Sequence, residues 1–218
     1  KQWGVICDGN GASGTNNSPT VQAGVDYALT FNPPKTLHVD GLVPIHDQIK
    51  IDRLVDAPAS RPYFSIIAEG RGAGFKDLLF ESNAPTNPTF AIDGNAFLRM
   101  RFQSCSFYRM RIAVSDWYTQ SLHFIECSAF NYIGTLYEAK GGAYDIRFEL
   151  SMIEGGGGFC YLTNDGLYTA DPVAGCSISN NLCQNMTSDA IVIDSAEGVA
   201  IDDNYFELNG GLDIKLDT

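Results

Sequence analysis

Phe102-Gln103-Ser104-Cys105-Ser106-Phe107 sets an apolar residue, two variable positions, a small residue, one more variable position and a second apolar residue in a row. The pattern returns as Phe124-Ile125-Glu126-Cys127-Ser128-Ala129, Phe148-Glu149-Leu150-Ser151-Met152-Ile153, Ile178-Ser179-Asn180-Asn181-Leu182-Cys183 and Ile201-Asp202-Asp203-Asn204-Tyr205-Phe206. The starts are 22, 24, 30 and 23 residues apart. Units of that length cannot bury an apolar face alone and do so by stacking on their neighbours, which lines equivalent residues up in columns. The small or amide position fits a tight bend between two strands, where asparagine tolerates the left-handed conformation. Asn181 and Asn204 are therefore expected to stack at that bend. The longest interval contains residues 164–175 (NDGLYTADPVAG), which read as a loop inserted into one layer.

Outward from the repeats, 22 glycines and 9 prolines are scattered without a collagen period and punctuate many short strands, of which 36–39, 45–51 and 63–68 are the first. Before them, Val21, Val25, Ala28 and Leu29 recur at helical spacing. Ser18 is the expected N-cap with Pro19 in the first turn, and Asn32-Pro33-Pro34 is the stop. The expected fold is all-β: a right-handed parallel β-helix, a solenoid over residues 36–218, behind an N-terminal turn and capping α-helix in residues 1–35. A leucine-rich repeat would need a leucine consensus that is absent, and a β-sandwich is the alternative. Residues 212–217 alternate like a strand and leave no polar cap, so missing C-terminal residues or a covering subunit are expected.

With 218 residues and 44% hydrophobic residues the chain can fill the core of one domain. Its net charge of -12 argues against binding nucleic acid or an anionic membrane, which require a basic surface. No run of 18 apolar residues exists, so membrane insertion is not expected. Lys1 opens the chain without an initiator methionine or a signal-peptide core, which reads as a processed terminus. Cys7, Cys105, Cys127, Cys160, Cys176 and Cys183 form no CxxC pair and have no histidines at zinc spacing. They read as buried thiols; no metal and no cofactor are expected.

Carboxylates are the candidates for chemistry. Six residues after each repeat start stand Tyr108, Phe130, Glu154, Gln184 and Glu207, so Glu154 and Glu207 share a column with Gln184 between them. At ~4.8 Å per layer their backbones would be about 9.6 Å apart. That is near the upper end of the window in which one carboxylic acid protonates a leaving oxygen and another activates water. Asp203 is the third catalytic candidate, sharing a column with Glu126 three layers away; in extended backbone Asp202 and Asp203 would face opposite ways. For each carboxylate a solvated face or a turn hydrogen bond is the bland alternative. One residue before each start stand Arg101, His123, Arg147, Ser177 and Ala200, a short basic ladder able to contact sugar carboxylates or to pair with nearby acids. Trp117 and Tyr118 read as an exposed pair able to stack on sugar rings. No Ser/His/Asp order stands out around the three histidines. Gly70-Arg71-Gly72-Ala73-Gly74 lacks the helix of a phosphate loop and reads as a strand-ending turn, and residues 155–158 (GGGG) read as a close-packed turn.

Two further stretches carry a family resemblance. Cys7-Asp8-Gly9 followed by Thr20-Val21-Gln22-Ala23-Gly24-Val25-Asp26-Tyr27-Ala28 resembles the opening turn and capping helix of the pectate-lyase-like superfamily, especially bacteriophage tailspikes and depolymerases. Asn204-Tyr205-Phe206-Glu207-Leu208-Asn209-Gly210-Gly211 is similar to a turn common in those proteins. Asn16 and Asn17 stand where an acidic pair is usual, so no metal or capping role of those acids is carried over. The resemblance implies a homotrimeric protein of the virion tail that binds a bacterial surface polysaccharide, capsule or lipopolysaccharide. The expected reaction is hydrolysis by Glu154, Glu207 or Asp203, with Gln184, Arg147, His123, Arg101, Trp117 and Tyr118 holding substrate. The alternatives are a non-catalytic glycan-binding or structural virion protein and a secreted bacterial polysaccharide lyase.

Overall fold

The structure is a computed structural model and describes residues 15–31, 35–45, 49–52, 63–77, 89–93, 99–108, 111–115, 120–132, 134–140, 143–163 and 172–217. Among them the chain is all-β apart from one helix, Ser18–Leu29, and every strand pairing is parallel. Asn17 rather than Ser18 is the N-cap, because the Asn17 carbonyl already accepts from the Val21 N–H at 2.9 Å. Pro19 therefore stays within the first turn, where its missing N–H costs nothing. Val21, Val25 and Ala28 are the buried stripe of this helix.

Three parallel ladders follow from the repeats. The first runs through Arg99–Gln103, Gln120–Ile125, Tyr144–Glu149, Ser177–Ser179 and Ala200–Asp202. The second runs through Ser106–Tyr108, Ser128–Phe130, Met152–Glu154, Leu182–Gln184 and Tyr205–Glu207. The third, a separate seven-stranded sheet, runs through Ile49–Asp52, Thr89–Asp93, Arg111–Ser115, Thr135–Lys140, Gly158–Thr163, Ile191–Ile193 and Ile214–Leu216. Each layer thus contributes one strand to each ladder and pairs with the next layer.

Register follows the repeat. Phe102, Phe124, Phe148, Ile178 and Ile201 are cross-strand partners in that order. Phe107, Ala129, Ile153, Cys183 and Phe206 are partners in the second ladder. The first four members of each row are buried. Phe102, Phe124 and Phe148 stack face to face, with centroids 5.0 and 4.7 Å apart and planes within 4°. Cys105, Cys127, Cys160, Cys176 and Cys183 are buried free thiols, and burial pushes Cys176 and Cys183 up to about 12. They behave as small apolar residues.

The amide position plays a different part from the one expected. The left-handed residue is the one before it: Ser104, Glu126, Leu150, Asn180 and Asp203, with φ between 52° and 56°. Position 181 instead sends its side chain inward. Asn181 Nδ2 donates to the Phe148 carbonyl at 3.0 Å and to Asn204 Oδ1 at 2.9 Å, and Asn181 Oδ1 accepts from the Ser151 N–H at 3.0 Å. Asn204 repeats the scheme, donating to the Ile178 carbonyl and accepting from the Asn181 N–H. The corners are imposed by backbone bonding between layers, as in Ser104 N–H to Ile125 O and Glu126 N–H to Glu149 O, both at 3.0 Å. A leucine at such a corner is strained, and Leu150 is also 60% exposed, so its side chain offers little in return. Leu150→Gly is expected to raise stability by about 0.5–1 kcal/mol, read as an increased urea midpoint with unchanged slope.

One strand expectation is corrected, and another is described only at its ends. The expected span 45–51 takes in the last residue of Leu37–Ile45 and the first three of Ile49–Asp52, and residues 46–48 lie outside the described ones. Gly70 to Gly74 do not end a strand but lie inside Tyr63–Asp77. There the pairing to Leu37–Ile45 jumps from Asp40–Glu69 to Leu42–Gly74, so four residues face Gly41 alone, and Gly41 turns with φ 78°. The inserted loop 164–175 falls mostly outside the described residues, as does the Cys7-Asp8-Gly9 turn.

Candidate functional site

The second ladder aligns Tyr108, Phe130, Glu154, Gln184 and Glu207 across five layers. In the later strands the neighbouring residue points inward, as Ile153 and Cys183 do, so Phe130, Glu154, Gln184 and Glu207 face outward. Glu154 and Gln184 are half-buried and Glu207 is exposed. Asn185 Nδ2 donates to Glu154 Oε1 at 3.3 Å and fixes one carboxylate relative to the column. Two layers of ~4.8 Å separate the Glu154 and Glu207 backbones, about 9.6 Å.

Asp203 stands apart from this pair. It occupies the left-handed corner before Tyr205–Glu207 with φ 52°, so the expected alternation of Asp202 and Asp203 in extended backbone does not hold. Both are exposed. At the equivalent corner two earlier layers meet, with Ser104 Oγ donating to Glu126 Oε2 at 3.2 Å.

Arg101, His123, Arg147, Ser177 and Ala200 form an outward column on the first ladder. Beside it lies a cluster that the repeat alignment did not reveal. Asp145 accepts from Ser121 Oγ and, at 2.7 Å, from Arg147 Nε, and His123 Nε2 lies 3.3 Å from Asp145 Oδ2. Partial burial would raise this carboxyl, but the bonds from Ser121, Arg147 and His123 and the charge of Arg147 hold it below the usual aspartate range. Ser121 and Asp145 are both left-handed, with φ 71° and 56°, and the next two layers put Gly175 and Gly198 at this bend. That glycine pair two positions before the basic column was the available signal.

This constellation holds serine, histidine and aspartate without the order of a nucleophilic triad. Aspartate sits at the centre, and the serine hydroxyl bonds to it instead of to an imidazole base. A carboxylate of lowered basicity is a poor acceptor for the proton of a nucleophile, so the cluster orients Arg147 and His123. Since the carboxyl is lowered on folding, its contribution is present above about pH 4 and is lost as pH falls through the lower folded value. Asp145→Asn is therefore expected to be less stable than the native chain at neutral pH, with the gap closing in acid. Urea midpoints from pH 7 to pH 2 check this, and a constant gap would assign the loss to packing.

The four glycines at 155–158 are filled space. A Cβ on Gly156 would meet the Tyr132 ring, one on Gly157 the Gly134 carbonyl and one on Gly158 the Asp189 carbonyl. Their carbonyls are taken as well: Thr187 donates to Gly156 O, Ser188 to Gly157 O and Tyr132 to Gly158 O. Trp117 and Tyr118 lie outside the described residues. Among the described residues no group of three or more His, Cys, Asp or Glu is placed to hold a metal ion, and no helix is long and apolar enough to cross a membrane.

No family model and no curated protein matches this chain. Among solved structures, the chain is similar to one described as the crystal structure of the Agl-KA catalytic domain, at a TM-score of 0.48 and 14% identity. The alignment covers 98% of this chain and 42% of that one, so the chain spans about two fifths of that structure's length.

Proposed function

We propose that the chain is a right-handed parallel β-helix of the pectate-lyase-like kind that binds and hydrolyses a bacterial surface polysaccharide, as part of a homotrimeric phage tailspike on the virion tail. Three parallel ladders that each gain one strand per layer support the fold, and parallel crossovers are overwhelmingly right-handed. The observation that carries the activity is the outward column Glu154, Gln184, Glu207, two carboxylates with one amide between them. A backbone separation of about 9.6 Å suits inversion, in which a water must fit opposite the leaving group, better than retention, which needs a closer pair. Glu154, the less exposed of the two, protonates the leaving oxygen; Glu207, open to solvent, activates water. Gln184 hydrogen-bonds the sugar between them.

Purified capsule or lipopolysaccharide incubated with the protein is expected to gain reducing ends without the ultraviolet absorbance of an unsaturated product, which would mark a lyase. Glu154→Gln and Glu207→Gln are each expected to lower the rate by about 10²-fold or more. Cleavage left intact in both variants would remove the pair even if the activity stood. The openness of the column at Glu207 favours a second reading, a glycan-binding surface without catalysis. In that case the glycan from the correct host is retained and unchanged.

A further inference from the structure

We propose that the outward column Arg101, His123, Arg147 recognises carboxylates of the polysaccharide, so that the ligand is an acidic glycan lying across at least three layers. This rests on the glycan-binding reading above and adds the chemical class of the ligand.

Register carries the first part of the argument. Arg101 pairs with His123 and His123 with Arg147, which puts two guanidiniums two layers apart with an imidazole between them. At ~4.8 Å per layer the two guanidiniums stand about 9.6 Å apart at their backbones, a span that repeated acidic groups of one extended glycan can bridge.

Compensation on the protein side is incomplete. Asp145 serves Arg147 through Nε and His123 through Nε2, while Arg101 is exposed and makes no ion pair among the described residues. Arg147 has its remaining guanidinium N–H groups beyond the Nε bond, and it is nearly half exposed. Asp145 thereby acts as a positioning residue: it fixes the Arg147 fork at the corner and leaves the fork's outer edge for a second carboxylate. Glu149, two residues along the same strand, is half-buried, and the column continues into the short side chains of Ser177 and Ala200.

At a net charge of -12 the chain repels polyanions at long range, so an acidic glycan can be held only where cations are grouped. Removing one of the group should therefore be felt in full, without non-specific attraction to mask it.

The test uses affinity electrophoresis in gels containing purified acidic capsular polysaccharides, each before and after chemical reduction of its carboxyl groups to alcohols, with cleavage followed separately by reducing ends. An acidic member is expected to retard the protein, and its reduced form to bind at least about tenfold more weakly. Arg101→Gln and Arg147→Gln are each expected to weaken binding about tenfold while keeping the native urea midpoint within the range of a surface substitution. Asp145→Asn is expected to weaken binding less, with Arg147 present but no longer oriented. Equal binding to reduced and unreduced glycan, or unchanged binding in both arginine variants, overturns the proposal. Cleavage of a neutral glycan at the native rate by Arg101→Gln and Arg147→Gln discards the acidic class and keeps the hydrolase, whereas no retention and no cleavage of any member overturns both.

Discussion

Phe124→Ala is expected to destabilise the protein by about 3–5 kcal/mol, the range for emptying a well-packed aromatic site. Phe124 is 1% exposed and sits between two parallel rings, Phe102 at 5.0 Å and Phe148 at 4.7 Å, with the Tyr137 ring edge-on at 5.9 Å. Truncation would leave a hole bounded by rings that are themselves held by the strands above and below, so collapse can fill little of it. The ring also ties the first ladder to the third, because Tyr137 lies in Thr135–Lys140. The expected observation is a large fall in the urea midpoint together with a loss of aromatic near-ultraviolet circular dichroism. A cost below about 1 kcal/mol would mean that the stack is not the centre of the core.

Asn181→Leu is expected to cost about 3 kcal/mol or more, although the substitution adds apolar volume to a buried site. The side chain is 2% exposed and satisfies three groups: the Ser151 N–H, the Phe148 carbonyl and Asn204 Oδ1. Leucine would orphan two backbone groups where water cannot reach, each worth about 1–3 kcal/mol. Asn204→Leu is the control, since Asn204 is only half-buried and solvent can replace part of what it loses. A midpoint shift at position 204 as large as that at 181 would contradict the account of an inward amide column.

These two sites were legible to different degrees. The phenylalanine row could be read from spacing alone, because a bulky inward residue is needed once per layer and little else satisfies that position. Columns followed from the same spacing, so Glu154, Gln184 and Glu207 fell into line, as did Arg101, His123 and Arg147. The corner was misread by one residue because Ser104, Glu126, Leu150, Asn180 and Asp203 share no chemistry. Bonding between layers holds Ser104, Glu126 and Leu150 left-handed against their own preferences, and Asn180 and Asp203, which tolerate that conformation, mark the corner in only two layers of the five.

The Asp145 cluster escaped for a related reason. Ser121 and Asp145 lie before the aligned window and meet only across layers, at a separation of 24 residues. Their bend is marked by Gly175 and Gly198 in the next two layers, a signal visible only once the register is known. The N-cap shifted by a single residue, since hydrogen bonding to the Asn17 carbonyl starts the helix before the proline.

The stereochemistry of the first product tests the proposed pair most directly, because inverting and retaining geometries demand different carboxylate separations. Proton magnetic resonance of the anomeric region, recorded in the first minutes of cleavage before mutarotation, reads it. With Glu154 and Glu207 about 9.6 Å apart at the backbone, the expected product has the inverted configuration and is lost in Glu154→Gln and in Glu207→Gln. A retained configuration, or an unsaturated sugar in place of a hemiacetal, would contradict it.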